Sequence, residues 1–467
     1  MPKVNPKISS KPLAEKTLLI VGAGKSGKAA ANLALKAGAD IVLYDDNEGS
    51  ITNFKESLEE KYIDRVSFCI ADTKKIDFIK ISLAVLSPGF PSNAPIISEA
   101  EKYNIPLISE LSFGAGFLPC KSVAITGTNG KTTTTMLTGN MFVNAGFVTH
   151  VCGNIGYPVS LCAVSAQEED MAVIEVSSFQ LERIGEFHPI IAAVLNISAD
   201  HLDRHGSMEK YINLKKRISE NMDSSDALIL NINDKNCLSF SKNAKPNVYW
   251  FSSTGEVERG AYLSEDKLFI SDNGNKQLIC PVEEVRLLGS HNIENALVAS
   301  LIAYLRNIPF PVIRYTLRSF AGAEHRMELV GEVSGVTFIN DSKATNPDST
   351  IKAVNAMRSP TILIVGGYDK QTPFDDMANS ISASRVYQVI LTGETSYKIA
   401  ESLKETGFTD YIIVDSLPNA VKEAMAFASK GDVVLFSPAC SSFDKFKSYE
   451  HRGEVFKNIV KDLDVGR

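Results

Sequence analysis

Two glycine-rich turns, each set between an apolar run and a helical stretch, constrain this chain more than any other feature of its sequence. The first, Gly22-Ala23-Gly24-Lys25-Ser26-Gly27, follows TLLIV and opens an Ala/Leu-rich stretch, and the next run, ADIVLYDD, closes on Asp45 and Asp46. This is a βαβ unit with a dinucleotide-binding fingerprint, whose glycines let backbone N–H groups approach a pyrophosphate at the positive end of a helix. Taken alone the loop suggests NAD, its phosphate's owner stays open, and tight strand-to-helix packing is the plainer use of such glycines. The second turn, Gly127-Thr128-Asn129-Gly130-Lys131-Thr132-Thr133, follows KSVAIT. Successive N–H groups there can wrap phosphates, Lys131 can reach the terminal ones, and the Thr132 hydroxyl suits Mg²⁺. It departs from the G-x-x-x-x-G-K-[ST] template, because the residue five before Gly130 is Ile125.

The 467 residues exceed a single core, and a typical domain of ~150 residues predicts about three modules. The order of strands and helices predicts an α/β protein: a Rossmann-like first domain at 1–110, a P-loop mononucleotide-binding central domain at 111–322 and a Rossmann-like third domain at 323–467. Strands are expected at ISLAVLS, MAVIEVSS, IIAAVLNIS, VTFIND, TILIVGG, QVILTG, YIIVD and DVVLFSP, a helix over HNIENALVASLIAYLRN, and a small hairpin excursion around Asp272-Asn273-Gly274. A net charge of −7 argues against a general nucleic-acid or anionic-membrane surface. Seven scattered cysteines without a C-x-x-C pair fit reduced thiols. The start is polar and no run approaches the ~20 apolar residues that span a membrane, so a cytoplasmic location is expected.

Glu175 closes an apolar strand, where a carboxylate without partners is costly; a metal ion is one partner and capping of the next helix another. The stretch NISADHLDRHGSMEKYINLKKR then gathers Asn196, Asp200, His201, Asp203, Arg204 and His205, with Lys215 on the helix beyond.

The runs GTNGKTT, EVSSFQLE, LNISADHLDRH, HNIENALVA, AEHRMELV, NDSKATNPDST and SPACSSFDKF resemble, in order, the signature blocks of the Mur ligases, over roughly residues 16 to 453. Within that family NDSKATN, SPACSSFDKF and the opening GAGKSG most resemble the member that adds D-glutamate. The resemblance implies an ATP-dependent ligase that phosphorylates the carboxylate of UDP-N-acetylmuramoyl-L-alanine and lets the amine of D-glutamate attack the acyl phosphate. It implies ATP held by Gly127, Thr128, Asn129, Gly130, Lys131, Thr132, Thr133, Asn292, Asn295, Arg326 and Asp341. Two Mg²⁺ ions are implied, one on Thr132 and Glu175, the other on His201 and Lys215, the lysine as a carbamate; the alternative for Lys215 is an ordinary exposed helix lysine beside Lys216 and Arg217. Lys25, Ser26, Asp45 or Asp46, Pro88, Gly89, Asn154 and His201 are implied for the UDP-substrate, and Lys343, Thr345, Lys370, Ser442 and Phe443 for D-glutamate. Lys131, Glu175, His201, Lys215 and Lys343 form the implied catalytic set. Where the family often carries Phe after the SPAC block this chain has Tyr449. A monomer free of nucleic acid and membrane is expected. The competing readings are another Mur ligase, a folylpolyglutamate synthase-like ligase, an NAD-dependent dehydrogenase, which leaves the GKT loop and Glu175 unused, and a nonenzymatic UDP-sugar binder.

Overall fold

The computed structural model describes residues 8, 10, 12–91, 93–200, 202–287, 289–322 and 324–465. Their strands build three sheets. The first contains β1 (Thr17–Val21), β2 (Asp40–Asp45), β3 (Val66–Ile70), β4 (Ile81–Leu86) and β5 (Leu107–Ser109), all parallel, in the order β3-β2-β1-β4-β5. Alternation along β1 sends Leu18 and Ile20 into one apolar core and Leu19 and Val21 into another, which is why this strand reads as an unbroken apolar run. The strand order reverses between β1 and β4, and the loops after these two strands flank the resulting crevice.

The second sheet contains β6 (Lys121–Thr126), β7 (Thr149–Gly153), β8 (Met171–Glu175), β9 (Ile191–Val194), β10 (Ala227–Asn231), β11 (Asn247–Ser252), β12 (Gly260–Ser264), β13 (Lys267–Asp272) and β14 (Asn275–Pro281). Their order is β14-β13-β12-β11-β10-β9-β6-β8-β7. Only β12, β13 and β14 pair antiparallel; the rest of the ladder is parallel. The expected hairpin is present, turning at Asn273 and Gly274, whose φ angles of 50° and 81° suit a tight hairpin. It is no separate excursion, however: β12 pairs with β11 and carries β13 and β14 as a continuation of the main sheet.

The third sheet contains β15 (Glu328–Val333), β16 (Val336–Asn340), β17 (Thr361–Val365), β18 (Val386–Leu391), β19 (Tyr411–Ile413) and β20 (Val433–Phe436). Its order is β15-β16-β20-β17-β18-β19, with β15 alone antiparallel. The expected α/β class is thus present in all three sheets.

Contacts divide the chain into two compact units, residues 1–285 with 293–318, and residues 286–292 with 319–467. The first two sheets share a unit because one apolar cluster runs through both, from Leu18 and Ala30 by way of Leu111 and Phe113 to Ala124, Ile174 and Leu228. The second unit packs its sheet between two clusters, one around Leu363, Val365 and Leu435, the other around Ile364, Phe436 and Phe456. All seven cysteines are buried and unbridged. Among the described residues no helix is long and apolar enough to cross a membrane.

Candidate functional site

In the first unit the parallel order β9-β6-β8 lays three loops side by side at the carboxyl ends of the strands. The loop after β6 is the second glycine turn. Gly130 takes φ 83° and ψ −14° at the start of the helix Lys131–Asn144, a left-handed position that favours glycine. A Cβ there would also run into Oδ1 of Asn295, a buried side chain that accepts from Thr134 Oγ1 at 3.0 Å. No side chain caps this helix, so its first N–H groups face the loop as donors for an anion.

The loop is clamped from β9. Asn129 donates its N–H to Asn196 Oδ1 at 2.8 Å, Asn196 Nδ2 donates to Asn129 O at 3.1 Å, and Thr128 N–H donates to Asn196 O at 2.9 Å. Lys131 Nζ donates to Gly127 O at 2.9 Å and to Thr128 O at 2.8 Å. Thr132 and Thr133 are buried in the first turn.

Glu175 ends β8 opposite Ile125 of β6 and is 1% exposed. Its Oε1 accepts from Asn154 Nδ2 at 2.7 Å, whereas its Oε2 is buried and, among the described residues, has no hydrogen-bond partner. The helix that follows is capped by Ser177 with Gln180, so the capping alternative for Glu175 does not hold. A buried carboxylate oxygen without a donor, beside a threonine-bearing phosphate loop, fits a hard divalent cation.

Lys215, on the helix Met208–Lys216, is also 1% exposed, which overturns the alternative of a solvated helix lysine. Its Nζ donates to Gly127 O at 2.9 Å and lies 4.8 Å from the centre of the Tyr211 ring. Burial, followed by the nearby charge of Lys131, pulls its pKa down to about 7; Asp200, Cys237 and Glu175 oppose the shift. Tyr211 escaped the sequence reading, although its spacing of one helical turn before Lys215 places the two on one face. His201 lies outside the described residues.

In the first sheet, Gly22 adopts φ 94° where a Cβ would meet Ser87 Oγ at 2.8 Å, so the loops after β1 and β4 touch. Asp45 Oδ2 accepts from Ala23 N–H at 2.6 Å, which sets this carboxylate at the first glycine turn, and Asp46 Oδ1, next along the chain, accepts from Tyr44 OH at 2.6 Å. Lys25 is exposed and reaches across to Gly156 O at 2.7 Å, in the loop that also carries Asn154. Ser26 follows it in the helix Lys25–Lys36. Pro88, with Ser87, Phe90, Phe179 and Arg204, lines a cleft of about 380 Å³, and Gly89 sits in the same loop.

In the second unit the adjacent ends of β16, β20 and β17 carry the remaining candidates. Asp341 is buried, accepts from Ser437 Oγ at 2.7 Å and Met327 N–H at 3.2 Å, and is pushed up to about 7 by burial, against the pull of Ser437 and Arg326. Arg326 is flanked by His325 and Met327, both left-handed at φ 62° and 45°, a conformation that costs such residues roughly 1 kcal/mol or more each. Lys343 Nζ lies 5.3 Å from the Tyr449 ring centre. Thr345 is half-buried, Lys370 exposed, Ser442 buried and Phe443 68% exposed. Tyr368 N–H donates to Ser441 O at 3.0 Å and draws the Lys370 and Ser442 loops together. Asn292 belongs to this unit and donates its N–H to Gly289 O at 3.0 Å, whereas Asn295 belongs to the first.

Sequence reasoning missed Arg452. This buried guanidinium donates to Ser342 Oγ at 3.0 Å, Ser342 O at 2.8 Å and Cys440 O at 3.0 Å, joining the loops after β16 and β20. No motif announces it, because its partner Ser342 lies 110 residues away in sequence.

A phosphate-loop helix, a buried carboxylate with a free oxygen and a buried lysine at neighbouring strand ends define a mononucleotide-binding α/β protein. The pattern of the Mur ligase middle domain matches residues 125–303, and that of the Mur ligase glutamate ligase domain matches residues 325–440. A UDP-N-acetylmuramoylalanine–D-glutamate ligase of Thermoanaerobacter sp. (strain X514) is 43% identical over 450 residues, covering 96% of this chain and 98% of that protein. The protein of that name from Lachnospira eligens is 40% identical over 452 residues, covering 97% and 100%. Among solved structures, MurF from Acinetobacter baumannii is similar with a TM-score of 0.62 at 15% identity, over 100% of this chain and 99% of that one. UDP-N-acetylmuramate-alanine ligase MurC from Thermotoga maritima gives 0.58 at 18%, over 96% and 99%; at such identities the likeness concerns the fold. The chain belongs to the Mur ligase family.

Proposed function

We propose that this chain is the ATP-dependent ligase that joins D-glutamate to UDP-N-acetylmuramoyl-L-alanine in peptidoglycan precursor synthesis, acting in the cytoplasm as a monomer of three domains, 1–110, 111–322 and 323–467. The observation that carries the chemistry is the convergence of the Gly127–Thr133 loop, Glu175 and Lys215 on adjacent strand ends. The near relatives' names carry the substrates.

ATP gives its γ-phosphoryl group to the substrate carboxylate, and the D-glutamate amine attacks the acyl phosphate, leaving ADP and phosphate. Lys131 and the N–H groups from Gly127 to Thr133 hold the β- and γ-phosphates, Asn295 and Asn292 the adenine, and Arg326 and Asp341 the phosphate and ribose side. Thr132 and Glu175 would hold one Mg²⁺, and His201 with carbamylated Lys215 a second; when bound, these ions neutralise phosphate charge. Glu175 fits through its free oxygen. Lys215 fits because a pKa near 7 leaves much of it as the free amine at neutral pH, the form that adds CO₂. Lys25, Ser26, Asp45 or Asp46, Pro88, Gly89, Asn154 and His201 orient the UDP-substrate. Lys343, Thr345, Lys370, Ser442 and Phe443 receive the two carboxylates of D-glutamate. Phosphate release with UDP-N-acetylmuramoyl-L-alanine, run against a panel of D- and L-amino acids, is expected to require D-glutamate; equal or faster turnover with L-alanine or a diamino acid overturns the assignment.

A further inference from the structure

The turn His325–Met327, left-handed at both ends, draws its supports from elsewhere in the second unit. Glu328 opens β15, and its Oε2 accepts from His325 N–H at 2.8 Å and from Asn340 Nδ2 at 2.9 Å. Its Oε1 lies 3.3 Å from Nζ of Lys457, which is half-buried on the helix Tyr449–Val465 and also meets Glu454 at 2.7 Å. Asn340 closes β16 and is fully buried. It donates from Nδ2 to His325 Nδ1 as well, at 3.0 Å, while its Oδ1 accepts from Ser342 N–H at 3.1 Å. These partners decide which way the amide faces. Turned over, its oxygen would confront the Glu328 carboxylate and its NH₂ group the N–H of Ser342. With Nδ2 as the donor, Nδ1 of His325 accepts, so the neutral ring carries its proton on Nε2. The helix Tyr449–Val465 leaves room for this ring at Gly453, where a side chain would strike Nδ1.

The turn reaches two candidate sites of this unit. His325 O accepts from Lys343 N–H at 2.9 Å, Met327 N–H donates to Asp341 Oδ1 at 3.2 Å, and Arg326 lies between these two anchors in the chain. We infer that Glu328 and Asn340 are positioning residues of the ligation: on the function proposed above, they hold the turn that presents Arg326 to ATP and anchors Lys343 for D-glutamate. Two residues in the left-handed region store strain, so the turn relaxes toward ordinary angles once its acceptor or its imidazole's donor is removed. Glu328 binds two donors through one oxygen and is balanced by Lys457 through the other, which makes this support stiffer than a single hydrogen bond. Neither residue needs to touch a substrate; both act through Arg326 and Lys343.

Two measurements on the full chain test this, and the first is independent of ligation. With ¹⁵N-labelled histidine at pH 8, where a histidine is ordinarily neutral, the ring signal lost in His325→Gln identifies His325. It is expected to report a ring protonated on Nε2, and Asn340→Ala is expected to release that ring into exchange between tautomers. A parent ring protonated on Nδ1, or a ring signal unchanged in folded Asn340→Ala, overturns the inference.

The second measures ATP affinity by equilibrium binding in the presence of Mg²⁺, and the three Michaelis constants by phosphate release, with folding checked by circular dichroism. Glu328→Ala and Asn340→Ala are each expected to weaken ATP binding and to raise KM for D-glutamate by about tenfold, with KM for the UDP-substrate unchanged. Glu328→Gln, whose amide oxygen can take both donors, is expected to stay within about threefold of the parent. Constants that rise equally for all three substrates, ATP and D-glutamate constants equal to the parent's in folded Glu328→Ala, or an about tenfold loss in Glu328→Gln overturns the inference. Glu328→Gln and the parent's ring signal decide the matter even where an alanine variant does not fold. A parent that releases phosphate without requiring D-glutamate overturns the proposed function, while the ring signal and the ATP affinity still judge the positioning role.

Discussion

The two glycine turns share one backbone plan and differ in what holds them. The turn at Gly22–Gly27 is tied by a carboxylate, Asp45 on Ala23, and its lysine extends outward to Gly156. The turn at Gly127–Thr133 is clamped by the neutral side chain of Asn196 and carries two lysines, Lys131 folded onto the loop and Lys215 buried behind it. Acidic groups at the rim of the first suit a ligand that presents ribose hydroxyls as well as a diphosphate. Concentrated positive charge at the second suits a phosphoryl group in transfer. On the proposed function, the same strand-loop-helix unit takes a holding or a reacting role according to the residues around it.

The sharpest way to break this contrast is to remove each loop lysine. Lys131→Ala is expected to lower the rate of phosphate release by about 100- to 1,000-fold or more, with the fold intact by circular dichroism. Lys25→Ala is expected to raise KM for the UDP-substrate by roughly tenfold at nearly unchanged kcat. Similar losses of kcat in both variants would dissolve the distinction.

Lys215→Ala is expected to lose about 100-fold in turnover and to recover part of it with formate or acetate, small carboxylates that replace the oxygens of a carbamate, while Lys216→Ala needs no rescue. Near-normal turnover of Lys215→Ala without additive, or a crippled Lys216→Ala, removes the carbamate from the proposal.

Asn196→Ala is expected to raise KM for ATP by about tenfold through a loosened loop, leaving KM for the UDP-substrate unchanged. A change in both constants would mean that the clamp serves the whole unit and not the one turn.

The smallest effect concerns pH. Lys215 has a folded pKa near 7 against the usual 10.5, so below pH 7 both folded and unfolded chains hold its proton, and the burial penalty is fully present. Between about pH 7 and 10.5 the unfolded chain binds the extra proton, and stability rises with pH by at most ~1.4 kcal/mol per unit. Urea unfolding in CO₂-free buffer is expected to show this slope in the parent and its loss in Lys215→Met; equal slopes would place the lysine in water.

Sequence alone reveals the elements whose apolar runs are long. β1, β8, β9, β17 and β20 are buried on both faces and leave unbroken hydrophobic segments. β3 and β15 do not stand out, since most of their residues are half-buried or exposed and β15 is hidden inside a motif. The hairpin at Asn273-Gly274 is legible from its dipeptide; its neighbour turns at Glu265 and Asp266, both with positive φ but without the glycine that marks such a turn most plainly. At the sites, Lys131, Glu175 and Lys215 stand within local motifs. The clamp from Asn196 and the bridge from Arg452 depend on contacts 67 and 110 residues apart, and only folding brings those partners together.

The second unit is built from two separate stretches, since residues 286–292 belong to it although residues 293–318 belong to the first. Leu287 lies against Gly322, and His291 faces Arg326 and Lys352 within that unit. A gene exchange between relatives that swaps only residues 319–467 therefore transfers an incomplete unit, with a donor's Arg326 set against a recipient's His291. Inheritance of this unit is safe only when both stretches travel together, and a chimera cut at the boundary visible in the sequence will carry a mismatched patch there.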